Sequence, residues 1–406
     1  MTDLDKQADK PLALPAKFPY SIADKLPNFA RKIALLFMGQ GAREGYLAAM
    51  DQGLISVANF LATLILARLV SPTELGVYGV GFTSLRLVRS VQEGLTIQPM
   101  NTIGAALDGE SFKRYATSTS LIQLGMAVAS AAAVALGGWV LTALGNDTAG
   151  PALFSLWFVF LFWQLQEYIR RILYTRGHVF QAALNTALAN TVRIGILIVL
   201  ANRNLLSGAA GLNAIAWGSL AALLPGLWQT RTYWTPRFAN LAETWKKNWN
   251  FGSWLLGGTL SNWVAVEFYP VLTAGMISFA AAGAYRALQN PILAILSLAV
   301  LFPEPILRLL YGETYLAYSG GITLMALFYM LWFAYWPIQI AFKAARSSRP
   351  IFLANLAASG AMFTLGIWMI SRWGVYGTIA GQALNALVVG LFLWGTWLRT
   401  MKRKPA

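Results

Sequence analysis

The sequence predicts an all-α polytopic membrane protein made of two related helical bundles, with about 10–12 transmembrane helices and a second half one helix short. Three observations carry that reading. Of 406 residues, 57% are hydrophobic and only 12% charged, against roughly 25% charged in an ordinary soluble domain. Apolar windows long enough to cross a bilayer recur along nearly the whole chain. The formal net charge of +15 gathers in short segments between those windows, as the positive-inside rule describes.

In the N-terminal segment 1–45, residues 1–32 mix acids and bases and hold no apolar core for a cleavable signal. Its Ile33–Met38 stretch is too short to span; with Phe29, Arg31 and Lys32 it reads as an amphipathic helix at the interface. Spans are then expected at about 46–70, 76–100, 118–144, 150–174, 181–201 and 208–230, an N-terminal six-helix lobe over 46–230. A basic linker over 231–251 follows, then windows at 252–276, 281–303, 316–341, 350–372 and 374–398 in a C-terminal lobe, and a basic tail over 399–406.

Basic clusters before span 1 and after spans 2, 4 and 6 put the N-terminus in the cytoplasm: seven Lys and Arg in 1–45, then Lys113 with Arg114, Arg170, Arg171 with Arg176, and Arg231, Arg237, Lys246 with Lys247. The later clusters, Lys343 to Arg349 and Arg399 to Lys404, would face outward if every window crossed. Parity is off by one: either 281–310 fails to cross, breaking at Phe302-Pro303-Glu304-Pro305, or a neighbouring span is absent. An internal repeat agrees. Ser71, Gly76-Val77-Tyr78 and Ser278, Gly283-Ala284-Tyr285 align at one constant offset of 207 residues, at the junctions of spans 1–2 and 7–8. The second half then lacks about one helix between roughly 290 and 310.

Charges inside spans are costly, roughly 2.5–3.5 kcal/mol each on insertion scales, and mark function by default. Span 2 carries Arg86, Arg89 and Glu93 on one helical face, where Arg89 can pair with Glu93 and leave Arg86 uncompensated. Arg193 and Arg286 complete a set of intramembrane cations suited to an anionic headgroup, because a guanidinium donates two parallel bonds to a phosphate. Asp51, Glu93 and Glu267 are candidate ion-coupling carboxylates, and Trp157, Trp163 and Trp263 candidate sugar-stacking rings. Structural alternatives stand beside these: a helix-gluing Arg89–Glu93 pair, and Arg193 and Arg286 snorkelling to an interface.

No Cys is present and His178 is the lone His, which excludes disulfides, thiolate metal sites and a Cys nucleophile and argues against His-based metal sites or Ser-His-Asp hydrolysis. No cofactor, metal or catalytic residue is expected, and the protein is not read as an enzyme. A membrane glycosyltransferase or ligase would need a large outer loop, whereas those near 71–75, 145–150 and 202–208 are short. The basic linker is wedged between spans and reads as inner-leaflet association; no nucleic-acid partner is expected.

Asn59-Phe60-Leu61, followed by Leu66-Ala67-Arg68-Leu69-Val70-Ser71-Pro72-Thr73-Glu74-Leu75-Gly76-Val77-Tyr78, resembles the span 1–2 junction of the polysaccharide-transport (Wzx-like) oligosaccharide flippases of the MATE/MOP superfamily. Gly283-Ala284-Tyr285-Arg286, Leu307 to Tyr315 and Gly374-Val375-Tyr376-Gly377 look like that family's later landmarks. The resemblance covers about residues 40–400. It implies a V-shaped pair of six-helix halves, with a cationic central cavity that Arg86 and Arg89 match in position. It also implies movement of an undecaprenyl-diphosphate-linked oligosaccharide across the inner (plasma) membrane, by alternating access coupled to an ion gradient, for O-antigen, capsule or exopolysaccharide synthesis. Partners on this reading are the lipid-linked oligosaccharide, membrane lipids, a polysaccharide polymerase and glycosyltransferases. Two other readings stay open: a multidrug/cation antiporter of the same superfamily, and a non-transporting scaffold of the assembly machinery.

Overall fold

The computed structural model describes residues 40–146, 149–236, 240–289, 302–344 and 349–402, all in helices and their connections. The chain divides into the compact units Met1–Ala49 and Met50–Ala406, and the second holds all the helices but the first turns of the helix that begins at Gln40. The interfacial helix expected over 29–38 lies outside the described residues.

Helices α1 (Gln40–Leu69) and α2 (Pro72–Gln92, continued through a π turn at Glu93–Ile97 to Thr102) meet at a tight corner. Ser71 caps α2, its hydroxyl accepting from the Glu74 amide at 3.3 Å, and Pro72 sits in the first turn, where its missing N–H costs nothing. There follow α3 (Gly109–Ala143), α4 (Leu156–Thr175, after a short turn at Ala149–Phe154), α5 (Val179–Asn202) and α6 (Gly208–Thr230). Helix α7 (Leu241–Asn262) runs on through a π turn at Trp263–Glu267 into Tyr269–Met276. Its start at Leu241 makes half of the expected 231–251 linker helical. In both α2 and α7 a proline, Pro99 or Pro270, follows the π turn within a few residues; it has no amide hydrogen and crowds the carbonyl four back, so the preceding turn widens.

Helix α8 begins at 279 and is described to 289; α9 is the nine-residue Pro303–Tyr311, and α10 is Gly320–Ala344. The last helical stretch, 349–402, is divided at Gly374, whose φ of 57° only glycine adopts without strain, into α11 (349–373) and α12 (375–402). Seven of the described helical segments are long and apolar enough to cross a bilayer, and the longest of them, Arg349–Thr400, has the length of two spans. Nine residues in α9 reach only about 14 Å, less than half a hydrocarbon core.

The ends of these helices meet in the region where parity is in question. Arg68, at the end of α1, donates to the carbonyls of Leu309 and Leu310 at the end of α9. A side chain at Gly283 on α8 would collide with the Pro72 carbonyl at the start of α2. The start of α8 and the end of α9 therefore both lie at the corner between α1 and α2. Tyr376, opening α12, donates to the Ala317 carbonyl at 3.2 Å on that same side. Helix α10 then runs to the opposite side, so its end, the start of α11 and the end of α12 lie away from that corner.

The repeat is visible as packing. Gly76 and Gly283 face each other: a Cβ on Gly76 would strike the Phe279 carbonyl, and one on Gly283 the Pro72 carbonyl. Pro72 and Phe279 are themselves 207 residues apart, as are the two glycines. The two halves thus meet through equivalent points on α2 and α8, related as by a two-fold axis. One core runs through both, with Tyr78, Tyr285, Tyr311 and Tyr315 buried beside Leu66, Leu75 and Leu307.

Candidate functional site

A cavity of about 420 Å³ opens among α1, α2, α4, α5, α6 and α7. Its wall is mixed. Arg86, Arg89, Arg193, Glu167 and Glu267 supply charge; Gln52, Asn59, Gln166, Asn190, Ser219 and Asn262 supply neutral polar groups; Phe82, Trp163 and Trp263 supply rings. Helix α2 presents Arg86 and Arg89 together because their spacing of three places them one above the other. It is fixed against α7 by the Trp263 indole, which donates to the Thr83 carbonyl at 3.0 Å, and by the Thr259 hydroxyl, which donates to the Ser90 carbonyl at 3.0 Å.

The pairing differs from the one expected. Arg86 is not uncompensated: its guanidinium bonds the carboxylate of Glu267, which the π turn of α7 brings to the cavity. Nor does Arg89 pair with Glu93. The π turn that starts at Glu93 places Gln98 five residues on over it, and the Gln98 amide donates to the Glu93 carboxylate at 2.6 Å. Arg89 faces Glu167 instead, 3.9 Å away, a separation of ion-pair rather than hydrogen-bond length.

Glu167 belongs to a second charge network. Arg170 holds it with two bonds of 3.1 and 2.9 Å and also reaches Asp51 at 2.5 Å, while the Tyr174 hydroxyl donates to the same Asp51 oxygen at 2.5 Å. Asp51, Glu167 and Arg170 are all buried. The sequence placed Arg170 in a basic loop with Arg171 and Arg176; it lies inside α4, and only its three-residue spacing from Glu167 and four-residue spacing to Tyr174 hinted at this.

Once each acid is matched with its bases, Arg193 stands out. It is 5% exposed and lines the cavity, yet its bonds go to neutral groups, Asn59 Oδ1 at 2.9 Å and the Tyr78 hydroxyl at 2.5 Å. Its Nε has no partner, and no carboxylate lies within ion-pair distance among the described residues. The other half contains a neutral counterpart of this tie. There the Tyr285 hydroxyl donates to Gln382 at 2.6 Å, and the Gln382 amide donates to the Val266 carbonyl at 2.6 Å. Tyr78 and Tyr285, and Asn59 and Val266, are pairs at the offset of 207. An amide suffices to join the helices in one half; a buried cation does the same in the other, at greater desolvation cost.

Of the residues singled out from the sequence, Arg86, Arg89, Arg193 and Glu267 line the cavity, whereas Asp51, Glu93 and Arg286 do not. Arg286 lies behind Phe82, a wall residue, with its guanidinium 4.7 Å from the ring centre and bonded to Gln289 at 2.8 Å, so it does not snorkel to a surface. Trp163 and Trp263 are on the wall; Trp157 faces outward. His178 is exposed, 2.7 Å from the Tyr233 hydroxyl. No group of acids and histidines that could hold a metal occurs among the described residues.

Comparison with known proteins places this architecture. A solved structure described as the inward-facing conformation of a multidrug resistance MATE family transporter of the MOP superfamily superposes with a TM-score of 0.71 at 14% identity, over 86% of this chain and 96% of that one. The lipid II flippase MurJ, in an inward closed conformation, gives 0.64 at 14% identity over 88% and 87%. A MOP superfamily transporter from Pyrococcus furiosus Vc1 (DSM3638), described as having a binding pocket of reverse polarity, gives 0.62 at 14% over 92% and 99%. At such identities the likeness establishes the fold. Among curated proteins there is no match. The family model for polysaccharide biosynthesis proteins matches residues 42–304, from α1 into α9 and across every wall of the cavity; with the fold of MOP transporters around it, this multi-pass membrane chain belongs to the polysaccharide biosynthesis protein family.

Proposed function

We propose that the protein flips an undecaprenyl-diphosphate-linked oligosaccharide across the inner membrane for surface polysaccharide synthesis, with the diphosphate held in the cavity by Arg193, Arg86 and Arg89. The observation that carries this reading is Arg193, a buried guanidinium on the wall with neutral partners only. An anion would supply the countercharge that the protein withholds. Arg286 adds positive potential from behind Phe82, and Trp163 and Trp263 offer faces on which sugar rings can stack.

Glu267 is bonded to Arg86. A phosphate entering the cavity competes for that guanidinium, and because α2 and α7 belong to different halves, the exchange loosens one of their charged links. Binding of the headgroup and separation of the halves are thereby coupled. The N-terminus and the basic ends of α10 and α12 are assigned to the cytoplasm by the positive-inside rule.

Binding tests this. Detergent-purified protein titrated with farnesyl diphosphate and, separately, with the lipophilic cation tetraphenylphosphonium is expected to bind the diphosphate in preference. Glu267→Gln, which removes the competing carboxylate, is expected to tighten diphosphate binding by about tenfold, the scale of one charge-assisted contact. Preferential binding of the cation would favour a multidrug/cation antiporter and sink the proposal.

A further inference from the structure

A second concavity lies away from the cavity and shares no lining residue with it. It is an apolar groove of about 520 Å³ among α3, α4 and α6, with Leu165, Tyr168 and Ile169 of α4 contributing to its wall. Two stripes lead along it. On α3, Arg114, Thr117, Leu121 and Leu124 follow at spacings of three, four and three, which keeps them on one helical face. From α6, Leu223, Leu227 and Arg231 follow at spacings of four. Each stripe begins or ends in an exposed guanidinium, and both stripes carry it at the same end. That end is fixed: the Thr235 amide donates to the Thr117 hydroxyl at 3.1 Å, and the Tyr233 ring meets Phe112 edge-on at 5.5 Å, so the start of α3 and the segment after α6 are joined. Trp234 closes the groove there. Arg231 lies over the Trp228 ring at 4.2 Å, a rigid platform for the charge at the mouth.

The outer rim is greasy and open, with Leu121, Leu124 and Leu227 each more than a third exposed. In a bilayer that rim faces hydrocarbon, so the groove takes an acyl chain without desolvating any polar group. The two guanidinia stand where the headgroup of such a lipid would lie, on the side of the bundle that carries the basic clusters. Apolar length ending in paired positive charge is complementary to an amphiphile with an anionic head and an apolar tail. We infer that this groove is a binding site for an anionic glycerophospholipid, one acyl chain seated along Leu121, Leu124, Leu223 and Leu227 and the phosphate held between Arg114 and Arg231. The inference is independent of the proposed transport substrate, because it uses none of the cavity residues.

Native mass spectrometry tests it on full-length protein released from vesicles of equal parts dioleoylphosphatidylglycerol and dioleoylphosphatidylcholine. The wild type is expected to retain phosphatidylglycerol over phosphatidylcholine by roughly tenfold, the scale of two surface cations acting on one anionic head. In R114Q/R231Q that preference is expected to fall close to parity. Leu124→Trp fills the groove from an exposed position and is expected to lower retention of both lipids while leaving the protein folded. Equal retention of the two lipids by the wild type, or an unchanged preference in R114Q/R231Q, overturns the inference. So does displacement of phosphatidylglycerol by an equimolar polyprenyl phosphate, which would make the groove a berth for the carrier lipid instead.

Discussion

An Arg193→Gln protein is expected to insert and fold but to bind farnesyl diphosphate about 10- to 100-fold more weakly, the loss of one charge-assisted contact of roughly 1.5–3 kcal/mol. Polysaccharide export in a complemented deletion strain should fall with it. The substitution is chosen from the molecule's own other half, where Gln382 joins Tyr285 and the α7 backbone as Arg193 joins Tyr78 and Asn59. A glutamine at 193 removes the charge and keeps a polar amide facing α1 and α2. If Arg193 served only to hold α1, α2 and α5 together, Arg193→Gln would bind the diphosphate as the wild type does, and the site would have to be sought elsewhere. Arg193→Lys, which keeps charge without the planar fork, is expected to fall between the two.

The second large effect concerns stability. Arg170→Met leaves Asp51 and Glu167 as buried carboxylates deprived of the guanidinium that binds both. Breaking a buried ion pair from one side costs about 3–5 kcal/mol, so the variant should melt far below the wild type in a fluorescence-detected size-exclusion assay, or fail to accumulate. Neutralising the whole network in Asp51→Asn/Glu167→Gln/Arg170→Met is expected to recover most of the loss, since the penalty lies in unpaired charge rather than in missing contacts. A single Arg170→Met variant with the melting temperature of the wild type would show that water or another base reaches these carboxylates.

Much of the fold was legible in the sequence because the bilayer imposes strong rules. Length and hydrophobicity located the helices before and after the middle of the chain to within a few residues at most ends; the beginning of α7 at Leu241 was missed because its first turns, with Glu243, Lys246 and Lys247, are charged and project beyond any apolar window. The distribution of Lys and Arg exposed the parity fault, and the Arg68 bonds to Leu309 and Leu310 bring the end of α9 to the end of α1, at the place where the fault falls. The offset of 207 residues, weak as letters, became firm as geometry, because the positions it relates are the ones where α2 and α8 touch.

The site was less legible, for a physical reason. Helical spacing tells which side chains share a face, and it grouped Arg86 with Arg89 correctly. It cannot tell which partner arrives from a helix distant in the chain, and every decisive contact here is of that kind: Glu267 on Arg86, Glu167 by Arg89, Asn59 and Tyr78 on Arg193. The π turn at Glu93–Ile97 also undid the local Arg89–Glu93 pairing, since it replaces the α spacing just where that pairing assumed it. Ranking the four cations by sequence put Arg86 and Arg89 first; matching charges in space puts Arg193 first.

The central claim is that a cationic cavity moves an anionic lipid-linked sugar, and translocation in proteoliposomes tests it most directly. Wild-type protein and Arg193→Gln are reconstituted with a fluorescent polyprenyl-diphosphate-linked sugar, and the fraction quenched by a membrane-impermeant reductant is followed in time. The wild type is predicted to bring inner-leaflet probe to the outer leaflet well above the rate of empty vesicles, and Arg193→Gln to fall to near that background. Equal rates in wild-type and empty vesicles, under an imposed ion gradient as well as without one, would contradict the claim and favour a non-transporting scaffold of the assembly machinery.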